Sequence, residues 1–330
     1  MTVRVGVIGV GVMGADHART LHRSVSGAQV TVVTDFDAAR ADTLAHELSA
    51  RTVATATELI AAPDVDAVVI ASHDSAHAEQ VAACLDQRKP VLCEKPLAPS
   101  VDECRDLVTK EDALGLADPL VSVGFMRRFH HPYVALADEV RSGSIGTPLL
   151  VRNSHRNVSA YPGGDSASTI TNSAIHEIDI TSWLLGSPIV EVGWHAPRST
   201  SYDSSRQDPQ VLMLRTADGA LTVVDVFVNA RYGYDVRCEV VGETGAVSLA
   251  APHTLSIDSS LRSASMYPKD WRPLFADAYR RQLQAWIDAL IAEVASPLAT
   301  ARDGLRATQV AAALIDSMNN DGATTKVDYH

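Results

Sequence analysis

Three groups of residues have types and spacings that could do chemistry. Gly9, Gly11 and Gly14, with Val12 and Met13 between them, end the apolar run 3–9. In a G-x-G-x-x-G turn between strand and helix, the first glycine allows the tight turn. The second lets backbone approach a pyrophosphate, and the third lets the helix pack closely. The following helix then offers free N–H groups to the phosphate. Lys95, with Glu94 before it and Pro96 after it, follows the apolar run 90–93. An ammonium there could stabilise negative charge developing on a substrate oxygen. Asn172, His176, Asp179 and Trp183 are spaced four, three and four apart, so on a regular helix they form one polar stripe, as at a cleft. His176 can accept a proton near neutral pH. Oxidation of a secondary alcohol needs this combination of hydride acceptor, base and charge stabilisation.

The elements that must position these residues follow from the periodicity. Strand patterns at 3–9, 29–34, 51–54, 67–71, 90–93 and 120–124 are separated by helical patterns at 13–24, 38–49, 75–87 and 101–114. Near-continuous apolar runs alternating with helices predict a doubly wound parallel sheet, an α/β Rossmann arrangement, over residues 1–123. Ligands of such sheets sit beyond the carboxyl ends of the strands. Asp35 stands there, about twenty residues after Gly14, where a carboxylate accepts from adenosine ribose hydroxyls and repels a 2′-phosphate. NAD is therefore expected over NADP, with Arg40 read as a residue of the solvated helix face. Ser72, His73 and His77, after the fourth strand, fall in the same region, as do Glu94 and Lys95; all are expected near the cofactor.

After Gly124 the pattern changes. A helix at 132–142, a strand at 148–157 and a helix at 173–185 precede strands at 189–198, 210–216, 220–230, 235–242 and 246–250. Helices at 271–295 and 301–319 close the chain. This predicts an α+β domain over 124–330 with a large, mostly antiparallel sheet and helices on one face.

Composition narrows the class. The 330 residues carry 28 basic and 40 acidic side chains, a net charge of −12 with histidine neutral, and 46% are hydrophobic. An acidic chain without a basic cluster argues against nucleic acid and anionic membrane surfaces. No apolar run approaches the ~20 residues of a membrane helix. Cys84, Cys93, Cys104 and Cys238 are scattered, without metal-ligand spacing, and read as buried thiols of a reducing cytoplasm. No metal is expected.

The glycine fingerprint and Glu94-Lys95-Pro96 resemble the oxidoreductase family named for glucose–fructose oxidoreductase, inositol dehydrogenase and a rhizopine-catabolism protein. The segments 124–129 (GFMRRF), 155–157 (HRN), 175–179 (IHEID) and 232–235 (YGYD) are similar to those of its inositol 2-dehydrogenases. The resemblance covers nearly the whole chain. It implies hydride transfer from a cyclic polyol or sugar to NAD, with Lys95 at the reacting hydroxyl before a cis-proline. It further implies His176 as general base, Asp179 contacting substrate or lysine, and a homotetramer built through the outer face of the second sheet.

A polyol also needs directional partners. Arg127, His155, Asn157 and Tyr234 are the candidates, with Tyr279 a weaker one. Arg127 and Arg128 are adjacent, so only one is expected to point inward. His155 and Asn157 share a strand face, and so would Tyr232 and Tyr234. At Asn172 the chain departs from the family, which carries aspartate there; an amide can orient an imidazole but supplies no charge. Alternatives are a pyranose dehydrogenase on the same scaffold, or an NAD(H)-binding sensor with an impaired site.

Overall fold

The computed structural model describes residues 2–250 and 256–330. The described chain forms two compact units. One holds the residues up to Met126 together with Asp277–Thr308; the other holds Arg127–Ala276 and Gln309–His330.

In the first unit, β1 (Val3–Ile8), β2 (Ala28–Thr34), β3 (Arg51–Thr52), β4 (Ala67–Ile70), β5 (Val91–Cys93) and β6 (Val121–Val123) form a parallel sheet in the order β6-β5-β4-β1-β2-β3. The short segment Ala299–Thr300 adds an antiparallel edge strand beside β6. Helices α1 (Val12–Ser24), α2 (Ala38–Leu48), α3 (Ala56–Ala61), α4 (His77–Asp86) and α5 (Val101–Ala113) connect the strands. The strands are apolar on both faces because both faces are covered: Val5, Val7, Val32, Val68, Ile70 and Leu92 have no exposure. Helix α5 starts on a Ser100–Glu103 capping box, and α2 ends on Ser49 in a left-handed conformation. Helix α3 was not anticipated; its six residues are too few for a visible helical period. The helix expected over 75–87 begins as a 3-10 turn, Asp74–Ala76, before α4.

In the second unit a seven-stranded sheet is built from β7 (Pro148–Arg156), β8 (Ile189–His195), β9 (Gln210–Thr216), β10 (Leu221–Phe227), β11 (Asp235–Gly242), β12 (Ala246–Ser248) and the C-terminal segment Thr325–Lys326. Among the described residues of this sheet, only the β10–β7 pairing is parallel. Exposure alternates along β10 and β11, with Thr222, Val224, Val226, Val236, Cys238 and Val240 inward. Helix α6 (His131–Ser142) packs with α7 (Ile175–Leu185), and α7 lies on β7. A polar hairpin, Ser256–Ser259 with Arg262–Ser265, gives no apolar alternation and was not legible in the sequence. Helices α8 (Arg272–Ala292) and α9 (Ala301–Asn319) complete the chain.

Candidate active site

The glycine loop of the first unit fits a dinucleotide. Gly9 has φ +79°, and a Cβ there would lie 2.5 Å from the Ser72 backbone. A Cβ on Gly14 would collide with the Gly9 carbonyl oxygen, whereas nothing lies within 4 Å of a Cβ on Gly11. Two glycines are thus required by packing, and the middle one leaves open the approach a pyrophosphate needs. Helix α1 has no side-chain cap and no acid in its first turn, which leaves its N-terminal N–H groups suited to a phosphate. Val12 is 60% exposed on this turn.

The Asp35 carboxylate accepts from Val10 N–H at 2.6 Å and from Asp37 N–H at 2.8 Å. It therefore ties the glycine loop to the end of β2, and Oδ2, which accepts from Val10 alone, keeps a lone pair for a hydroxyl. Arg40 is not simply solvated: its guanidinium reaches Asp35 at 3.4 Å and Asp37 at 3.6 Å.

At the end of β4, Ser72 donates to Gln80, and His73 is largely exposed beside Asp74. His77 is 2% exposed, with Nδ1 2.8 Å from the Pro96 carbonyl and Nε2 3.2 Å from the Ser72 carbonyl. Burial lowers its pKa, opposed by those carbonyls. A neutral ring donates from one nitrogen only, and the shorter contact assigns that proton to Nδ1. His77 thereby fastens the turn after β5, where the Lys95–Pro96 peptide is cis. Lys95 stands there half-buried. Glu94 is 8% exposed, its Oε1 2.7 Å from His17 Nε2 and its Oε2 accepting from Lys95 N–H at 3.2 Å. Burial pushes the Glu94 carboxyl up, but His17 and Lys95 outweigh it and hold it below its ordinary value. His17 was not singled out from sequence; only its burial on α1 exposes its role.

In the second unit, the residues 169–174 form a π-helical turn before α7. The four-residue step from Asn172 to His176 therefore spans a change of helical period, and Asn172 is exposed while His176 is 9% exposed. Trp183 ends the expected stripe with the Arg141 guanidinium 4.7 Å over its ring. Within α7, His176, Asp179 and Trp183 keep their three- and four-residue spacing; the π-helical turn interrupts the stripe only between Asn172 and His176.

Both arginines of the 3-10 turn Met126–Phe129 point to α7, contrary to the expectation that one would. Arg128 grips Asp179 through Nε at 3.1 Å and a terminal nitrogen at 2.5 Å. Arg127, 1% exposed, is paired with Glu177, also 1% exposed. Two acids two positions apart point about 200° apart on a helix, so successive arginines can serve both. Burial pushes Glu177 up, but Arg127 and His155 overcome it and hold its carboxyl at about 2. His155 Nδ1 lies 3.0 Å from Glu177, and its Nε2 lies 3.2 Å from Asn157 Oδ1. Arg127, His155 and Asn157 are thus brought together with Glu177, which sequence reasoning missed. Arg127 itself lies inside the unit.

Tyr234 is 4% exposed, edge-on to His155 at 6.0 Å, and burial raises its phenol to about 12. Tyr232 is 52% exposed and donates to Asp235 at 2.9 Å. The two tyrosines do not share a face: β11 begins only at Asp235, and Gly233, at φ +153°, interrupts the regular strand period between them. Tyr279, in the first unit, packs edge-on to His17 at 5.5 Å. Among the described residues no His, Cys, Asp and Glu group could hold a metal ion, and no helix is long and apolar enough to cross a membrane. All four cysteines are free and buried.

Comparison with known proteins agrees with this geometry. The family model described as an oxidoreductase family with an NAD-binding Rossmann fold matches residues 3–125, and the GFO/IDH/MocA C-terminal domain matches residues 133–248. Inositol 2-dehydrogenase 2 of Paenarthrobacter aurescens is 52% identical over 332 aligned positions covering 100% of both chains. Inositol 2-dehydrogenase 1 of Saccharopolyspora erythraea is 46% identical, covering 99% of this chain and 97% of its own. The crystal structure of myo-inositol dehydrogenase from Lactobacillus casei, in complex with NAD(H) and myo-inositol, has a TM-score of 0.95 and 34% identity, covering 100% of this chain and 98% of that one. An NAD-binding Rossmann unit followed by this C-terminal domain, along the full length of such relatives, makes the chain a member of the GFO/IDH/MocA oxidoreductase family.

Proposed function

We propose that the protein is an NAD-dependent dehydrogenase that oxidises an inositol, myo- or scyllo-inositol, to a keto-inositol. The observation that carries the reading is Lys95. It stands at the carboxyl end of β5, where dinucleotide-binding sheets place ligands, in a unit whose glycine loop is open at Gly11. The inositol dehydrogenases among its full-length relatives support the substrate.

Bound NAD supplies the hydride acceptor. Lys95 stabilises the charge growing on the substrate oxygen, and His176 takes its proton. Asp179, held by Arg128, orients its neighbours on α7 and contacts the substrate. His155, Asn157 and Tyr234 recognise ring hydroxyls, and Arg127 holds His155 through Glu177. Gly9, Gly11, Val12, Met13, Gly14, Asp35, Ser72, His73 and Glu94 surround the cofactor; His77 serves it by fixing the turn after β5. The functional division falls near residue 123, with cofactor contacts before it and, Lys95 apart, substrate contacts after it. Asn172 replaces the aspartate of the family's site and tunes pH dependence or substrate preference.

We further propose a cytoplasmic homotetramer built on the sheet face that carries Val211, Met213, Leu221 and Val223. These are half-exposed and interspersed with the pairs Arg215–Glu191 and Arg152–Glu239. Light scattering during gel filtration tests it.

The activity test follows NAD reduction with myo-, scyllo- and chiro-inositol and glucose, with NADP as control. Turnover with an inositol and NAD is expected. Turnover with glucose alone would make the protein a sugar dehydrogenase, and binding of NAD without turnover would make it a sensor.

A further inference from the structure

We propose that His17 is a positioning residue for Lys95, acting through the buried Glu94 carboxylate and so coupling the lysine to the helix that begins in the glycine loop. This rests on the dehydrogenase reading above. His17 has no exposure, and Glu94 has 8%. Glu94 Oε1 meets His17 Nε2 at 2.7 Å while Oε2 accepts the Lys95 backbone N–H at 3.2 Å. One carboxylate thus bridges α1 to the backbone of the candidate catalytic lysine.

Three features argue that the bridge does more than fill space. A buried carboxylate is costly unless paired, and a merely structural position is filled at least as well by apolar side chains of similar volume. The carboxylate is closely packed: a Cβ on Gly124 would lie 3.1 Å from the Glu94 carboxyl carbon, tighter than ordinary van der Waals contact. The edge of Tyr279 bounds His17 on another side, 5.5 Å between ring centres. Finally, Lys95 is held from both flanks. Glu94 fixes its N–H, and His77 fixes the Pro96 carbonyl at 2.8 Å. A lysine is a flexible point charge, so the direction of its stem is set by how firmly its backbone is fixed. Helix α1 starts one and a half turns before His17, in the loop that meets the pyrophosphate. Displacement of that loop would therefore pass through His17 and Glu94 to Lys95.

The test compares His17→Leu, which cannot donate, with His17→Gln, which can. The first readout needs no turnover: residue-resolved reductive methylation of the protein without and with NAD, with Lys110 as internal reference. His17→Leu is expected to change the Lys95 rate by at least about threefold, leaving Lys110 unchanged, and His17→Gln to restore it. The second readout is kinetic: kcat with inositol falls by about tenfold or more in His17→Leu while KM for NAD moves much less. If His17→Leu does not fold, Glu94→Gln, nearly isosteric, carries the same two readouts. An unchanged Lys95 methylation rate, or equal damage from Leu and Gln, overturns the proposal. Wild-type protein inactive on every polyol would overturn the dehydrogenase reading alone, because the methylation comparison still decides whether His17 sets Lys95.

Discussion

Arg128 and Asp179 meet through two hydrogen bonds, at 3.1 and 2.5 Å, on the helix that carries His176. The carboxylate beside the candidate base is thus held in one orientation by a fork-shaped partner. Arg128→Lys would keep the charge and lose the fork. We expect kcat to fall by about tenfold, with the fold intact by circular dichroism.

The neighbouring pair, Arg127 and Glu177, is buried at 1% exposure on each side. Arg127→Met or Glu177→Gln strands a buried group, and each is expected to cost about 3–5 kcal/mol. The double variant should cost less than the sum of the two. Denaturant midpoints of the three variants measure this.

That pair also predicts acid behaviour. Glu177 is held at about 2, below an ordinary carboxylate. A lowered folded-state pKa contributes stability that is full above the unfolded value, about 4.3, and is lost as pH falls toward 2. Glu177→Gln should flatten the stability–pH curve between those values and leave its shape above pH 5 unaltered.

Asp35 accepts from Val10 N–H and Asp37 N–H with Arg40 at 3.4 Å. Asp35→Ser removes the carboxylate that repels a 2′-phosphate and frees Arg40 to meet one. The ratio of kcat/KM for NADP over NAD should rise by about 10–100-fold, chiefly through loss of NAD efficiency.

Asn172 lies exposed in the π-helical turn that leads into α7. Asn172→Asp places a carboxylate four residues before His176 and favours an imidazolium there. The acidic limb of the kcat/KM profile should move to higher pH, by about half a unit given the exposure. An unchanged profile with unchanged substrate preference would remove Asn172 from the site.

The local chemistry was legible without a structure. G-x-G-x-x-G, Asp35 and Glu94-Lys95-Pro96 lie at strand ends, and strand ends are set by short-range patterns of apolar runs and glycine. Alternation along β7 put His155 and Asn157 on one face, and they meet at 3.2 Å. Partnerships distant in sequence were not legible. His17 with Glu94, Arg127 with Glu177 and Arg128 with Asp179 join residues 77, 50 and 51 positions apart. No periodicity encodes such a pairing; it arises when desolvated charges must find counter-charges inside a packed unit. The same holds for the placing of Asn172 on one stripe with His176 and for the shared face of Tyr232 and Tyr234. Both readings extend a regular period across backbone that a π turn and Gly233 interrupt. The sequence by itself determined the element types, the glycine loop and the chemical groups available. Only the tertiary structure decided which of those groups are spent holding others in place, because burial is a property of the packed chain rather than of any segment.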